Sequence, residues 1–212
     1  MLKQLQAGSG LVVAGFVAVH LLNTWFAPFG SGVYDQVQGL LRSAYQFPPL
    51  ELLLLSTLVL HILTGLLRLW REPKRVLTWR SRLHRYAGLF LALVIAGHIL
   101  AVRGASWFFD VYPGFAGVAF SLEAVPGYFY PYYFLLGLAG FYHGLNGTSI
   151  ALGRFGRSWP LQVRSLKWAS AVAAALMVTA LLAFAGLWTD IGDPAQSDFA
   201  LLALELFGGS AP

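Results

Sequence analysis

Four of the five histidines in this chain, His20, His61, His98 and His143, lie deep inside long apolar runs, one in each of four runs. An ionisable ring kept in hydrocarbon is costly, and by default it marks a site of function. One such histidine alone could be a hydrogen-bonded contact between helices as readily as a ligand. Four of them, one per run, shift the balance toward ligation. The chain has no cysteine, which excludes disulfides, thiolate-held iron–sulfur clusters, Cys-ligated zinc and Cys-x-x-Cys-His attachment of a prosthetic group. Any metal must therefore be held by His or carboxylate.

The histidines also recur in register. Gly10-Leu11-Val12-Val13-Ala14-Gly15-Phe16-Val17-Ala18-Val19-His20 and Gly88-Leu89-Phe90-Leu91-Ala92-Leu93-Val94-Ile95-Ala96-Gly97-His98 share the offset from glycine to histidine. His61-Ile62-Leu63-Thr64-Gly65 and His143-Gly144-Leu145-Asn146-Gly147 share a His-x-Leu-x-Gly pattern. Gly15, Gly65, Gly147 and Ala101 offer either room for a flat group or close helix packing.

The elements that carry these residues follow from composition. Of 212 residues 58% are hydrophobic and only 11% charged, too few charges to coat a soluble globule. Spans of about 20 apolar residues, the length that crosses a bilayer, are expected at about 8–27, 49–70, 86–105, 127–150 and 167–188. The first lacks the basic lead-in and small-x-small end of a cleaved signal peptide and is read as retained. The links between spans are short and rich in Gly, Pro and aromatics, so residues 1–212 read as one all-α bundle of five transmembrane helices. Arg68, Arg71, Lys74, Arg75, Arg80, Arg82 and Arg85 surround the second link, offset by Glu72. Arg154, Arg157, Arg164 and Lys167 surround the fourth. The other links and the tail are mostly acidic, with Asp35, Asp110, Glu123, Asp190, Asp193, Asp198 and Glu205 against Arg42 and Arg103. Basic loops stay in the cytoplasm, which puts the N-terminus inside and the C-terminus outside. The basic loops serve either as topology signals touching membrane lipid headgroups or as a docking surface for a soluble partner.

Alternate spans run in the same direction, so His20 and His98 share one depth and His61 and His143 another. At 1.5 Å per residue the first pair lies about 7–12 Å from the outer helix ends and the second about 10–16 Å from the inner ends. Two facing imidazoles at one depth are what axial ligation of haem iron without cysteine requires. Zinc or copper would need three or four convergent ligands rather than two separated pairs. Two stacked bis-His haems would carry electrons between the two membrane faces, with no open position for oxygen.

On these residues the chain resembles the dihaem cytochrome b membrane anchor of succinate dehydrogenases and fumarate reductases. The matching segments are His20-Leu21-Leu22-Asn23, Leu50-Glu51 ahead of His61, Arg82-Leu83-His84-Arg85-Tyr86-Ala87-Gly88 leading to His98, and Tyr142-His143-Gly144-Leu145-Asn146-Gly147. They cover about residues 5–170, and the fifth span matches in kind only. The resemblance implies two haem b groups, His20 with His98 on the distal one and His61 with His143 on the one nearer the soluble partner. It implies an iron–sulfur protein and an FAD flavoprotein at the cytoplasmic face of the inner membrane, and electron exchange with menaquinone or ubiquinone. It also implies that dicarboxylate chemistry belongs to the flavoprotein, and no nucleic acid is expected. Where relatives often carry an Arg-Leu-His-Ser-like lead-in, this chain has Lys3-Gln4-Leu5-Gln6-Ala7-Gly8-Ser9.

The remaining candidates each have two readings. His84 is either a surface histidine of the basic loop or a partner to a haem propionate or quinone oxygen. Arg82, Arg85 and Arg103 are candidates for propionates, since guanidinium matches carboxylate bidentately, and Arg103 could equally snorkel to the interface. Glu51 either favours its helix N-terminus electrostatically or transfers a quinone-linked proton. Trp25, Trp70, Trp79, Trp107, Trp159 and Trp188, with Tyr128, Tyr130, Tyr132 and Tyr133, read as interface anchors. The apolar tail over 199–207 is too short to span and is expected along the outer surface. Two other functions fit the four histidines: a stand-alone transmembrane electron-transfer cytochrome, and a haem-free proton-coupled transporter.

Overall fold

The computed structural model describes residues 1–71, 77–157, 159 and 161–208. Among these the chain is helical throughout, with no strand. Glu72, Lys74 and Arg75 of the basic link lie outside the described residues. The long helices are α1 (Leu2–Thr24), α3 (Pro48–Arg71), α4 (Trp79–Ile99), α7 (Pro126–Arg154) and α8 (Val163–Phe184). Four stretches are long and apolar enough to cross a membrane: Leu2–Phe29, Pro48–Arg71, Trp79–Phe109 and Val163–Phe184. α7 is longer than any of the other four helices at 29 residues, but Tyr, Gly, His and Asn dilute its apolar character. It packs against α1, α4 and α8, so its side chains meet protein on several sides and need not be uniformly lipophilic.

Helix ends explain where the elements depart from the apolar runs. α4 starts seven residues before residue 86, because Thr78 caps it, its hydroxyl accepting from the Ser81 N–H at 3.3 Å. Past Ile99 the helix does not stop. It widens into a π turn, Leu100–Gly104, and resumes as α5 (Ala105–Phe109) before Asp110 ends it in the left-handed region.

The first and third links are helical rather than irregular. α2 (Ser31–Tyr45) joins α1 to α3, and α6 (Gly114–Ala124) joins the α4–α5 rod to α7. Their Gly and Pro residues stand at the ends: Gly30 and Pro113 are the N-caps. The Asp35 carboxylate of α2 accepts from the Phe115 N–H at 2.8 Å, capping α6 from another element. Arg42 lies 3.9 Å over the Tyr112 ring. The tail forms α9 (Asp198–Phe207), started by Ser197 and packed on α6 through Phe120, Ala195 and Ala200.

The densest core lies at this end of the bundle. Tyr34, Phe115, Ala119, Leu122, Ala180, Leu181 and Phe184 pack together, with Phe129, Tyr130 and Tyr133 against them. Tyr130 and Tyr133 are partly buried against this core, and Trp25 packs on Phe141. The basic ends meet at the opposite pole. Arg80 of α4 donates to Asn146 Oδ1 of α7 at 2.6 Å and to the Leu161 carbonyl at 2.7 Å, tying the second and fourth links together.

Candidate functional site

α3, α1, α7 and α4 form an open square. α1 packs on α3 and α7, and α4 packs on α7, whereas α3 and α4 lean on those two neighbours rather than on each other. The histidines connect the diagonals. His20 of α1 and His98 of α4 have ring centroids 6.0 Å apart with planes at 74°; His61 of α3 and His143 of α7 are 6.1 Å apart at 77°. A metal–imidazole bond of about 2.0–2.1 Å, with the ring centre about 1.1 Å behind the nitrogen, places two collinear ligands with centroids about 6.2–6.4 Å apart. The two pairs, at 6.0 and 6.1 Å, come within about 0.4 Å of that spacing. Among the described residues no three or more His, Cys, Asp or Glu side chains converge as a metal site, so the arrangement is one of pairs.

The inner pair is built from a repeated cradle. A Cβ at Gly10 would stand 2.8 Å from His61 Cε1, and one at Gly88 would stand 2.6 Å from His143 Cε1. Each ring therefore lies flush against the backbone of the helix before it, where only glycine leaves room. His61 Nδ1 lies 3.2 Å from the Gln6 carbonyl, and His143 Nδ1 lies 3.0 Å from the His84 carbonyl. Gln6 and His84 each stand four residues before the cradle glycine. A carbonyl can only accept, so each Nδ1 carries the proton and each Nε2 keeps its lone pair, as a metal ligand must. Ser9 Oγ, 3.3 Å from His61 Nδ1, adds a contact that Ala87 cannot supply to His143.

The equivalence extends further. A Cβ at Gly65 would meet Gln6 Nε2 at 3.1 Å, and one at Gly147 would meet His84 Cε1 at 3.3 Å. These two glycines thus make room for Gln6 and His84, and of the small residues named from sequence Gly15 is the glycine facing open space. The hairpins α1–α2–α3 and α4–α6–α7 are two copies of one design. Ten residues separate Gly10 from His20 and Gly88 from His98, which sets the two pairs about 15 Å apart along the helices.

His84 is not a surface residue. Its ring stacks on His143 with centroids 4.1 Å apart and planes 2° apart, and its Nδ1 is buried without a hydrogen-bond partner. Arg82 and Arg85 are exposed, Arg82 lying 5.4 Å from the Trp79 ring. Near the outer pair, Phe16 stacks on His20 and meets Tyr45 edge-on. Burial pushes the Tyr45 hydroxyl pKa up, against the pull of the Arg42 and Arg103 guanidiniums.

Glu51 and Arg103, separate candidates in the sequence, meet each other. Arg103 Nε donates to Glu51 Oε1 at 2.5 Å and Nη2 to Oε2 at 2.8 Å, while Nη1 reaches Gln46 and Ser106. Gln6, Ser9, Arg80 and Asn146 were not singled out from sequence. The signal that could have found Gln6 is its position four residues before a glycine of the repeat, the same place that His84 holds. Compared with protein-family models, curated proteins and solved structures, the chain matches none.

Proposed function

We propose that this chain is a dihaem cytochrome b of the cytoplasmic membrane, crossing it five times with the N-terminus inside, and that it anchors a succinate dehydrogenase or fumarate reductase. The observation that carries the proposal is the pair of crossed imidazole couples at 6.0 and 6.1 Å, close to the spacing at which two histidines could hold one iron between them. α7 supplies the fifth crossing, since it packs against three helices, α1, α4 and α8, that lie in stretches apolar enough to span. The joining of both basic links at one pole by Arg80, and of the α2 and α6 links at the other by Asp35, supports the alternation of crossings.

The residues present fit the cofactor. His20 with His98 and His61 with His143 would hold one haem each, and the haems would supply one-electron transfer between the membrane faces. The protein's own part is to fix the ligands. The Gln6 and His84 carbonyls hold the Nδ1 protons of His61 and His143, Gly10 and Gly88 set ring depth, and His84 stacks on His143 to block its rotation. With two histidines engaged at each group, the chain would favour relay over oxygen activation. An iron–sulfur protein and an FAD flavoprotein would dock on the basic pole, and quinone in the membrane would exchange electrons with the chain.

Counting haem b per polypeptide by pyridine haemochrome tests the proposal. Two haems are expected, one lost in His20→Ala or His98→Ala and the other in His61→Ala or His143→Ala. A colourless purified protein would sink it.

A further inference from the structure

We infer that Glu51 and Arg103 are positioning residues, a clamp that closes the open side of the helix square and sets where His98 meets His20. The clamp is a matter of packing and geometry, and only its effect on haem rests on the proposed function.

The α3–α4 side of the square lacks the close helix packing of the other three. Glu51, in the first turn of α3, and Arg103, beyond the end of α4, bridge that side with both carboxylate oxygens engaged. The Arg103 side chain is only 18% exposed and that of Glu51 17%, so the charges are shielded from water and each depends on the other. Arg103 spends its other amino group on Gln46 and Ser106 and lies 5.0 Å from the Trp107 ring. Four of the five N–H donors of the guanidinium are thus engaged, and each Glu51 carboxylate oxygen has a donor.

The π turn is what brings the clamp to the ligand. In an α-helix the fifth residue after His98 would point well away from it. A turn that closes from i to i+5 advances less angle per residue, so the π turn over Leu100–Gly104 sets Arg103 nearer the face of His98 than unbroken α-helical counting does. A pull on the guanidinium is thus transmitted through one turn of backbone to the imidazole. The first hairpin has no counterpart: α1 ends at Thr24, and the residue five after His20 is Trp25. The clamp therefore acts on one pair and not on the other.

Because the chain has no cysteine, paired cysteines report each ring pair separately in the full-length protein in detergent, with or without haem. His20→Cys with His98→Cys, and His61→Cys with His143→Cys, would be joined by a short bifunctional methanethiosulfonate. Glu51→Gln or Arg103→Gln is expected to slow cross-linking of the outer couple at least about tenfold and leave the inner couple unchanged. Arg103→Lys is expected not to restore the rate, since an ammonium has no planar fork. An unchanged outer rate in both Gln variants, a common slowing of both couples, or a parental rate with Arg103→Lys overturns the clamp. A wild-type chain without haem would refute the proposed function while these rates still decide the clamp.

Discussion

Alanine at Gly88 separates a cradle from an incidental glycine, because the two predict opposite signs. In the interior of a helix Gly→Ala ordinarily stabilises by about 1 kcal/mol. At Gly88 the added Cβ would stand 2.6 Å from His143 Cε1 and 3.0 Å from Nδ1. Restoring an ordinary carbon contact of about 3.5 Å moves the ring by about 0.9 Å. That movement breaks the 3.0 Å bond from Nδ1 to the His84 carbonyl and disturbs the stack with His84. Overpacking costs about 1–3 kcal/mol and the orphaned buried donor about 1–3 more. Set against the propensity gain, the net loss is about 1–5 kcal/mol, or a fall in melting temperature of about 2–20 °C for a chain of this size. Gly10→Ala, at 2.8 Å from His61 Cε1, should fall by a similar or smaller amount. Gly8→Ala is the control, because a Cβ there meets nothing within 4 Å and should raise stability by up to about 1 kcal/mol. Thermal unfolding in one detergent, followed by tryptophan fluorescence, measures all three. If Gly88→Ala is as stable as Gly8→Ala, the flush seating of His143 is wrong.

Three further outcomes follow from contacts away from the histidines. Arg80→Ala removes the donor to Asn146 Oδ1 and the Leu161 carbonyl and should cost about 2–3 kcal/mol; a double-mutant cycle with Asn146→Ala should show coupling of about 1–3 kcal/mol, and additive effects would refute the link. Asp35→Ala leaves the Phe115 N–H without its acceptor and should lower stability by about 1–2 kcal/mol in thermal melts, with Asp35→Asn recovering much of the loss. Tyr34→Ala empties the contact between Phe115 and Phe184 and should cost about 3–5 kcal/mol, whereas Tyr34→Phe should cost far less, both read from the same melts.

The helical class and the places of the long helices were legible because an apolar run of bilayer length leaves few alternatives. The coming together of His20 with His98 and His61 with His143 was legible from the shared register of the repeats. α2, α6 and α9 were not. Each is short, and what holds it helical is remote: the Asp35 carboxylate for α6, the Phe120 and Ala200 contacts for α9. The meeting of Glu51 with Arg103 was hidden for a similar reason. It depends on a π turn that shifts register by one residue, and helical counting from His98 places Arg103 on another face. Gly10 and Gly88 were visible as the first letters of a repeat, but their task appeared only when His61 and His143 were seen against them.

Each histidine couple draws one ring from the first hairpin and one from the second. During synthesis neither couple exists until the chain has made α4, and the inner one must also wait for α7. A group held between the rings of the outer couple could be held there only once α4 is made, and one held by the inner couple only once α7 is made as well. A ribosome stalled before residue 98 would leave His20 and His61 without their partner rings. A group held by either couple would staple the two halves of the chain together.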